Sequence, residues 1–228
     1  MIIAIDGPAG SGKSTTARAV ARRLGFFYLD TGAMYRAVAL RFARQGLEPL
    51  EECVSDALAD FELELEPGPE GVRVRMNGED VSQAIRSAEA SALASRVSQL
   101  QGVRDILVAQ QRRIAANASR SGKGIVLEGR DIGTVVFPDA ELKVFLTADL
   151  DVRARRRAAQ MAGGKRPPGE ADVRREMAAR DASDSTREAS PLRQAPDAVV
   201  IDTTALTFKD QVARIVALAG ERRRGRKV

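Results

Sequence analysis

One glycine-rich segment near the N-terminus has the residue types and spacing of a phosphate-binding loop. Gly7-Pro8-Ala9-Gly10-Ser11-Gly12-Lys13-Ser14 fits the pattern G-x-x-x-x-G-K-[ST], and Thr15 follows it. The apolar run Ile2 to Ile5 precedes the segment and is typical of a buried strand. Apolar residues recur at helical spacing after it, at Ala17, Val20, Ala21 and Leu24. The sequence therefore predicts a strand, a loop and a helix in the order that this motif requires.

A loop of this kind surrounds a polyphosphate with backbone N–H groups and with the N-terminus of the following helix. Gly7, Gly10 and Gly12 allow the backbone to approach the ligand without a Cβ clash. Lys13 can reach the β- and γ-phosphates, and the Ser14 hydroxyl can bind Mg²⁺. A glycine-rich turn that binds nothing is the alternative, but the lysine, hydroxyl and helix together disfavour it. The motif predicts a purine nucleoside triphosphate with Mg²⁺ and leaves the acceptor of the phosphoryl group open.

Two further polar segments follow predicted strands. The second strand ends, and a helix begins, at Asp30-Thr31-Gly32-Ala33-Met34-Tyr35-Arg36. A later strand is followed by Glu128-Gly129-Arg130-Asp131-Ile132-Gly133-Thr134. Ligands of open parallel sheets bind beyond the carboxyl ends of the strands, so both segments should face the crevice that holds the phosphate loop. Arg36 would lie one turn into its helix, where it could clamp an anion.

A third group of charged residues, Arg180, Asp184 and Arg187, has a spacing that would place it on one face of a helix. Each of these groups also has a plainer interpretation. Asp30 and Thr31 could simply cap a helix. Arg130 and Asp131 could be a surface ion pair, and the third group could be a solvated network of ion pairs on a helix.

Composition excludes several classes of site. The chain of 228 residues contains no histidine, so histidine-based catalysis and histidine-ligated metals are ruled out. Cys53 is the only cysteine, which excludes an internal disulfide and favours a reducing, cytoplasmic compartment. The formal net charge is +5, and all but six of the 36 basic residues are arginine, the side chain best suited to bidentate binding of phosphate.

Short apolar runs alternate with helical patterns along most of the chain. Strands are predicted at 2–5, 26–29, 125–127, 143–146 and 198–201, with a helix at about 33–44. This alternation predicts an α/β fold in which a parallel central sheet is covered on both faces. No apolar run is long enough to span a bilayer, and the N-terminus is interpreted as a strand and not as a signal peptide.

One region departs from the alternation. Residues 61–65 and 72–76 alternate with period two, the segment 67–71 is predicted as a turn, and Asn77-Gly78 is a strong hairpin signal. These patterns predict a small antiparallel meander inserted into the core, followed by helical sequence over about 87–118. Residues 162–169 should form a mobile stretch between two arginine-rich helices, and 221–228 a frayed basic tail.

Over residues 2 to about 219, the sequence resembles the bacterial-type cytidylate kinases of the nucleoside monophosphate kinase superfamily. The motifs that carry this resemblance are I-D-G-P-A-G-S-G-K-S-T, D-T-G-A-M-Y-R, G-E-D-V-S, E-G-R-D-I-G-T-V-V-F-P-D-A, R-D-A-S-D-S-T-R-E-A-S-P-L and D-A-V-V-I-D-T-T. Many phosphotransferases share the first motif, whereas the combination of the others and the inserted meander is specific. The resemblance implies a three-layer P-loop fold with an acceptor-binding insert and a short lid. The expected division is core 1–45, 119–150 and 171–220, insert 46–118, lid 151–170 and tail 221–228.

The resemblance implies transfer of a phosphoryl group from ATP to CMP or dCMP, with Mg²⁺. It assigns the acceptor phosphate to Thr31, Arg36, Arg130 and Arg187, cytosine to Ser95, Arg104 and Asp131, and the sugar and phosphate to Arg180 and Asp184. It also assigns the lid over ATP to Arg153, Arg156 and Arg157. Lys13, Arg36, Arg130, Arg157 and Arg187 would neutralise charge during transfer, and either Glu128 or Asp30 could hold a water molecule bound to Mg²⁺.

Two other interpretations stay open at this point. The chain could phosphorylate another small acceptor, such as UMP, dTMP, a nucleoside or shikimate. It could also be a nucleotide switch or a nucleic-acid-binding protein. Against the second, there is no N-K-x-D guanine signature and only 4% of the residues are aromatic. We expect a monomer that binds nucleotides and forms no stable complex with nucleic acid or membrane.

Overall fold

The computed structural model describes residues 1–68, 71–161 and 169–225. In chain order the strands are β1 (Ile2–Asp6), β2 (Phe27–Asp30), β3 (Leu63–Gly68), β4 (Gly71–Met76), β5 (Glu79–Asp80), β6 (Ile125–Gly129), β7 (Leu142–Thr147) and β8 (Val199–Asp202). The α-helices are α1 (Lys13–Leu24), α2 (Thr31–Gln45), α3 (Val54–Leu58), α4 (Ala88–Val97), α5 (Gln101–Arg120), α6 (Leu150–Met161), α7 (Glu170–Thr186) and α8 (Phe208–Gly225). Two 3₁₀ turns, Glu51–Cys53 and Ala84–Arg86, and a π-helical turn, Ile132–Val136, complete these elements.

Five strands form the parallel central sheet in the order β2-β6-β1-β7-β8. Buried residues alternate between its two faces with the period of two that a strand imposes. Ile3 and Ile5 of β1 pack into one hydrophobic cluster with α1 and α8, whereas Ala4 packs into a second cluster with α2 and α5. The sheet is thus covered on both faces, which confirms the predicted α/β class and the parallel sheet.

The inserted region continues the second cluster. Strands β3, β4 and β5 form a separate antiparallel sheet, as the alternating patterns predicted. Its buried side chains Leu63, Val74 and Met76 belong to the same hydrophobic cluster as Phe42 of α2. Helix α4 also packs along α2. The insert therefore shares one core with the helix that carries Arg36.

The helical sequence predicted over about 87–118 is confirmed, and it forms two helices, α4 and α5, because the chain breaks at 98–100. The Ser98 hydroxyl donates to the carbonyl of Ser95 and ends α4. The carboxylate of Glu51, distant in sequence, accepts from the backbone N–H groups of Gln101 and Gly102 at 2.9 and 2.7 Å. This carboxylate caps α5, and no local pattern in the sequence signals it.

Several boundaries differ from the predicted ones by one or two residues. Strand β2 ends at Asp30, and α2 begins directly at Thr31, because the Asp30 side chain accepts from the N–H of Ala33 and acts as the N-cap.

The prediction of a frayed tail is wrong for residues 221–225, because α8 continues through Gly225. The Arg223 guanidinium lies 5.3 Å from the centre of the Phe26 ring.

Parts of three predicted segments lie outside the described residues: the tip of the turn at 67–71, the stretch 162–168 and the last three residues of the tail. In the part of the chain that the structure describes, no helix is long and apolar enough to cross a membrane.

Candidate active site

The phosphate loop, residues 7–14, joins β1 to α1 in a conformation that depends on glycine. Gly7 has φ 145°, and a Cβ atom there would lie 2.0 Å from the carbonyl oxygen of Leu146 on β7. Gly12, with φ 91°, is the N-cap of α1 and makes no side-chain capping bond. The first N–H groups of α1 therefore point out of the helix without a capping side chain, which is the arrangement that binds phosphate.

Lys13 lies inside this loop. Its Nζ donates to the carbonyl of Pro8 at 2.6 Å, and its side chain is almost completely buried. Burial, followed by the positive charge of Arg130, holds the pKa of Lys13 well below its ordinary value, and Glu128 opposes this effect. A poorly solvated ammonium group gains much from an anionic phosphate.

Glu128, at the end of β6, is buried beside the first turn of α1. The Ser14 hydroxyl donates to Oε2 of Glu128 at 2.7 Å, and the Tyr28 hydroxyl donates to Oε1. Burial, and then the nearby carboxylate of Asp30, raise the pKa of Glu128. A serine hydroxyl beside a carboxylate is a hard oxygen donor set of the kind that Mg²⁺ prefers, so these residues fit the ion that the loop motif implies.

Asp30 serves a different purpose. One carboxylate oxygen caps α2, and the other accepts from Nη2 of Arg36 at 3.0 Å. The neighbouring Thr31 hydroxyl donates to the carbonyl of Glu128 at 2.6 Å and ties α2 to β6. The interpretation of Asp30 as a helix cap is therefore confirmed. The same carboxylate also orients the arginine that was predicted to clamp an anion.

Arg104 of α5 and Asp131, just beyond β6, form a buried ion pair, with side chains 3% and 7% exposed. Nη1 of Arg104 also donates to the Tyr35 hydroxyl at 3.3 Å. Burial raises the pKa of Tyr35 to about 12, although the nearby Arg104 lowers it. Two residues predicted to read a base thus lie together, although 27 positions separate them. Ser95 of α4 is half-buried, and its carbonyl accepts from Ser98.

Four arginines converge beside the loop. Nε of Arg130 donates to Oδ2 of Asp184 at 2.8 Å. Burial lowers the pKa of Arg180, and the positive charges of Arg130, Arg36 and Arg157 lower it further, while Asp184 raises it. These effects on Arg180 indicate that the charges of Arg130, Arg36 and Arg157 lie near its guanidinium group. The crevice therefore has a concentrated positive charge that suits phosphate groups.

Arg187 lies just past the end of α7, so the prediction that it shares a helix face with Arg180 and Asp184 is wrong. Its Nε donates to the carbonyl of Ser190 at 2.7 Å, and its Nη1 donates to the Ser98 hydroxyl at 3.1 Å. Burial lowers its pKa, whereas the carboxylates of Asp131 and Asp184 raise it. Arg187 thus lies near both Asp131 of the buried pair and Asp184, the partner of Arg130.

The three arginines predicted for the lid differ in their surroundings. Arg153 is buried, donates to the carbonyls of Ala148 and Ala9 at 2.9 and 3.1 Å, and pairs with Asp181 at 2.6 Å. Because Ala9 belongs to the phosphate loop, Arg153 fixes the start of α6 to that loop. Arg156 donates to the hydroxyl and carbonyl oxygens of Thr203, and Arg157 is exposed.

Comparison with known proteins fixes the family. The model of the cytidylate kinase family matches residues 3–221. The chain belongs to the cytidylate kinase family. A cytidylate kinase from Solibacter usitatus is 47% identical over 225 residues, which cover 97% of this chain and 93% of that one. One from Geobacillus thermodenitrificans is 46% identical, covering 96% of both chains, and one from Salinibacter ruber is 47% identical, covering 95% of both chains.

In this member of the cytidylate kinase family, three residues that support the candidate site were not predicted from the sequence. Tyr28 and Ser98 act on predicted site residues through hydroxyl groups, and isolated hydroxyl residues carry no motif. The third contributor is Asp6, which accepts from the N–H groups of Ile132 and Gly133 at 2.9 and 2.7 Å. These two bonds hold the turn that follows Asp131. Burial raises the pKa of Asp6 to about 6. Its place directly before Gly7, at the end of a buried strand, is the one signal that could have identified it.

Proposed function

We propose that this protein transfers the γ-phosphoryl group of ATP to CMP and dCMP, with Mg²⁺, and releases ADP with CDP or dCDP. The observation that carries the proposal is the position of the buried Arg104–Asp131 pair. The charges of Asp131 and of Asp184, the partner of Arg130, both act on Arg187, so the pair lies near the arginines beside the phosphate loop. A donor site and a base-reading site therefore share one crevice.

On the donor side, Lys13 and the N–H groups at the start of α1 bind the β- and γ-phosphates of ATP. Ser14 and Glu128 hold Mg²⁺, which neutralises charge on the phosphates when it is bound. Glu128 is favoured over Asp30 because it accepts from the Ser14 hydroxyl of the phosphate loop, whereas Asp30 caps α2 and pairs with Arg36. Gly7 to Thr15 form the wall of this half of the site, and Arg153 and Arg157 approach it from α6.

On the acceptor side, Arg36, Arg130 and Arg187 bind the phosphate of CMP with Thr31, while Arg180 and Asp184 face its sugar. Cytosine offers an amino donor at N4 and acceptors at N3 and O2. Asp131 accepts from N4, and Arg104 with Ser95 donates to the ring acceptors. Uracil has the opposite pattern at N3 and position 4, so it leaves polar groups unpaired at about 1–3 kcal/mol each.

The reaction requires no general base, because the acceptor is already an anionic phosphate oxygen. Catalysis consists of positioning two anions and stabilising the charge that develops during in-line transfer. Lys13 and the arginines of the crevice supply that stabilisation from side chains that are already ordered. We further infer that the insert 46–118 and the lid 151–170 close over the nucleotides and exclude water. We also infer that the enzyme acts as a cytoplasmic monomer, with core and tail divided at about residue 220.

An acceptor panel tests this function. Purified protein with Mg²⁺ and ATP should form ADP rapidly with CMP and dCMP, and far more slowly with UMP, dTMP or shikimate. Equal turnover of CMP and UMP would contradict the proposed reading of cytosine. Arg130→Met should lower kcat much more than it lowers the melting temperature, and unchanged turnover in that variant would remove Arg130 from the site.

A further inference from the structure

The sequence contains two tyrosines and no tryptophan, and both tyrosine hydroxyls lie in the crevice. Tyr35 contacts Arg104 on the acceptor side. Tyr28 lies on the donor side, where the proposed function gives it no role.

The register of the central sheet places Tyr28 beside Glu128. Strands β2 and β6 are parallel, with Tyr28 opposite Val126 and Asp30 opposite Glu128. Tyr28 and Glu128 are therefore diagonal neighbours on the same face, within reach of long side chains. The ring packs against the hydrophobic cluster that α1 covers, so packing fixes the position of its hydroxyl.

Two donors hold the carboxylate of Glu128 from its two ends. The Tyr28 hydroxyl donates to Oε1, and the Ser14 hydroxyl donates to Oε2 at 2.7 Å. Glu128 is 4% exposed, and a buried carboxylate must be hydrogen-bonded to keep its charge and its orientation. Ser14 belongs to the phosphate loop, whereas Tyr28 approaches from the sheet.

We propose that Tyr28 is a positioning residue for the metal site: its hydroxyl fixes the Glu128 carboxylate so that the opposite oxygen faces Ser14 and the ion. This inference rests on the proposed function, because it concerns the Mg²⁺ that accompanies ATP. Partners of this kind, which orient a metal-binding side chain without touching the metal, change metal affinity by about 10- to 100-fold.

The test compares the affinity for ADP with and without Mg²⁺ by isothermal titration calorimetry. In the wild-type protein Mg²⁺ should strengthen ADP binding. In Tyr28→Phe, which keeps the ring and removes the hydroxyl, that strengthening should fall by about 10-fold, while ADP alone binds as before. Tyr35→Phe is the matched control, since it removes the same atom on the acceptor side and should leave the effect of Mg²⁺ unchanged.

A second measurement does not depend on affinity. In the Tyr35→Phe background Tyr28 is the only tyrosine and the chain has no tryptophan, so the tyrosine band of the near-ultraviolet difference spectrum reports on the Tyr28 phenol. Adding Glu128→Gln should shift that band, because the strong acceptor of the hydroxyl is lost. Mg²⁺ with ADP should also perturb it once the absorbance of the free nucleotide is subtracted. The absence of both changes would overturn the proposal even if Tyr28→Phe failed to fold.

The outcomes separate the two proposals. If wild-type protein gains nothing from Mg²⁺, then the metal in the proposed function is wrong. If the wild-type protein gains from Mg²⁺ and Tyr28→Phe gains equally, then only the positioning role of Tyr28 falls. A lower melting temperature with an unchanged effect of Mg²⁺ would likewise overturn the inference, since that is the result of a purely structural contact.

Discussion

The two halves of the crevice are built in different ways. The phosphate loop is one continuous segment, residues 7–14, in which we propose that backbone N–H groups positioned by glycine bind the ligand. The acceptor side collects charged side chains from separate parts of the chain: Arg36, Arg104, Arg130, Asp131, Arg180, Asp184 and Arg187. Placing backbone groups in the loop costs little free energy, whereas the buried charges of the acceptor side require partners.

This difference predicts different consequences of mutation. Removing a side chain from the loop should affect the chemistry and leave the fold nearly intact. On the acceptor side, a removed side chain leaves its partner buried and uncompensated, which costs about 3–5 kcal/mol when the pair is fully buried. Activity and stability should therefore separate in the first half and change together at the fully buried Arg104–Asp131 pair of the second, whereas the more exposed Arg130 guanidinium should affect activity more than stability.

Lys13→Met should produce the largest effect on activity. The variant loses the cation closest to the transferring group, so kcat should fall by about 10³-fold. Because burial already disfavours the charged form of Lys13, its loss should change the melting temperature little. Steady-state kinetics and thermal unfolding check both expectations, with the exposed Lys209→Met as control. A large fall in melting temperature would contradict the expectation that activity and stability separate in the loop.

Asp131→Asn should affect both properties. Without its carboxylate, Arg104 is left buried and unpaired, and the free energy of unfolding should fall by about 3 kcal/mol. The preference for CMP over UMP, measured as a ratio of kcat/KM values, should fall by about 100-fold, because an amide can pair with either base.

The exposed Asp139→Asn, on the same connection between β6 and β7, is the control for that variant and should match the wild type in both measurements. If Asp131→Asn were stable but unselective, or selective but unstable, the coupling of fold and specificity on the acceptor side would be wrong.

Asp6 joins the two halves, and its effect should depend on pH. The carboxyl titrates near 3.8 when exposed and near 6 in the folded protein, because burial disfavours its charge. The folded state therefore binds the extra proton between these values, and the contribution of Asp6 to stability falls as the pH rises through them.

Asp6→Asn removes this titration. The free energy of unfolding of the wild type minus that of the variant should fall by up to about 3 kcal/mol from about pH 4 to about pH 7. Denaturant unfolding at a series of pH values measures this difference. A constant difference, or one that grows with pH, is incompatible with a raised pKa at Asp6.

The smallest effect should come from the ion pair between α2 and the meander. Arg44 donates to both oxygens of Glu79, at 2.6 and 2.8 Å, but the two side chains are 41% and 57% exposed. Exposed pairs contribute little, so Glu79→Gln should leave the melting temperature and the turnover of CMP within experimental error. A clear loss of turnover would show that the meander must be anchored to α2 for acceptor binding.

The same contrast explains what the sequence alone could predict. The loop motif, the parallel strands and the meander are local patterns, and the structure reproduces all three. On the acceptor side, Arg36, Arg130 and Asp131 could be placed at the crevice because they follow predicted strands. Arg104 and Ser95 lie in helical sequence without such a pattern, so their assignment came from family resemblance. The structure joins Arg104 to Asp131 in one ion pair.

The missed features depend on contacts between distant segments. The break between α4 and α5 comes from Glu51, which caps a helix fifty positions further along the chain. Arg187 was expected on a helix face, yet the helix ends one residue earlier and Ser190 accepts from its guanidinium. Tyr28 reaches Glu128 only because β2 and β6 are neighbours in the sheet.

A crystal structure with CMP, Mg²⁺ and a non-hydrolysable ATP analogue tests the central claim most directly, which is that one crevice holds both nucleotides end to end. We expect the γ-phosphate beside Lys13, the phosphate of CMP among Arg36, Arg130 and Arg187, and the cytosine ring against Asp131. A triphosphate bound away from the phosphate loop, or a cytosine that makes no contact with Asp131 or Arg104, would contradict the account.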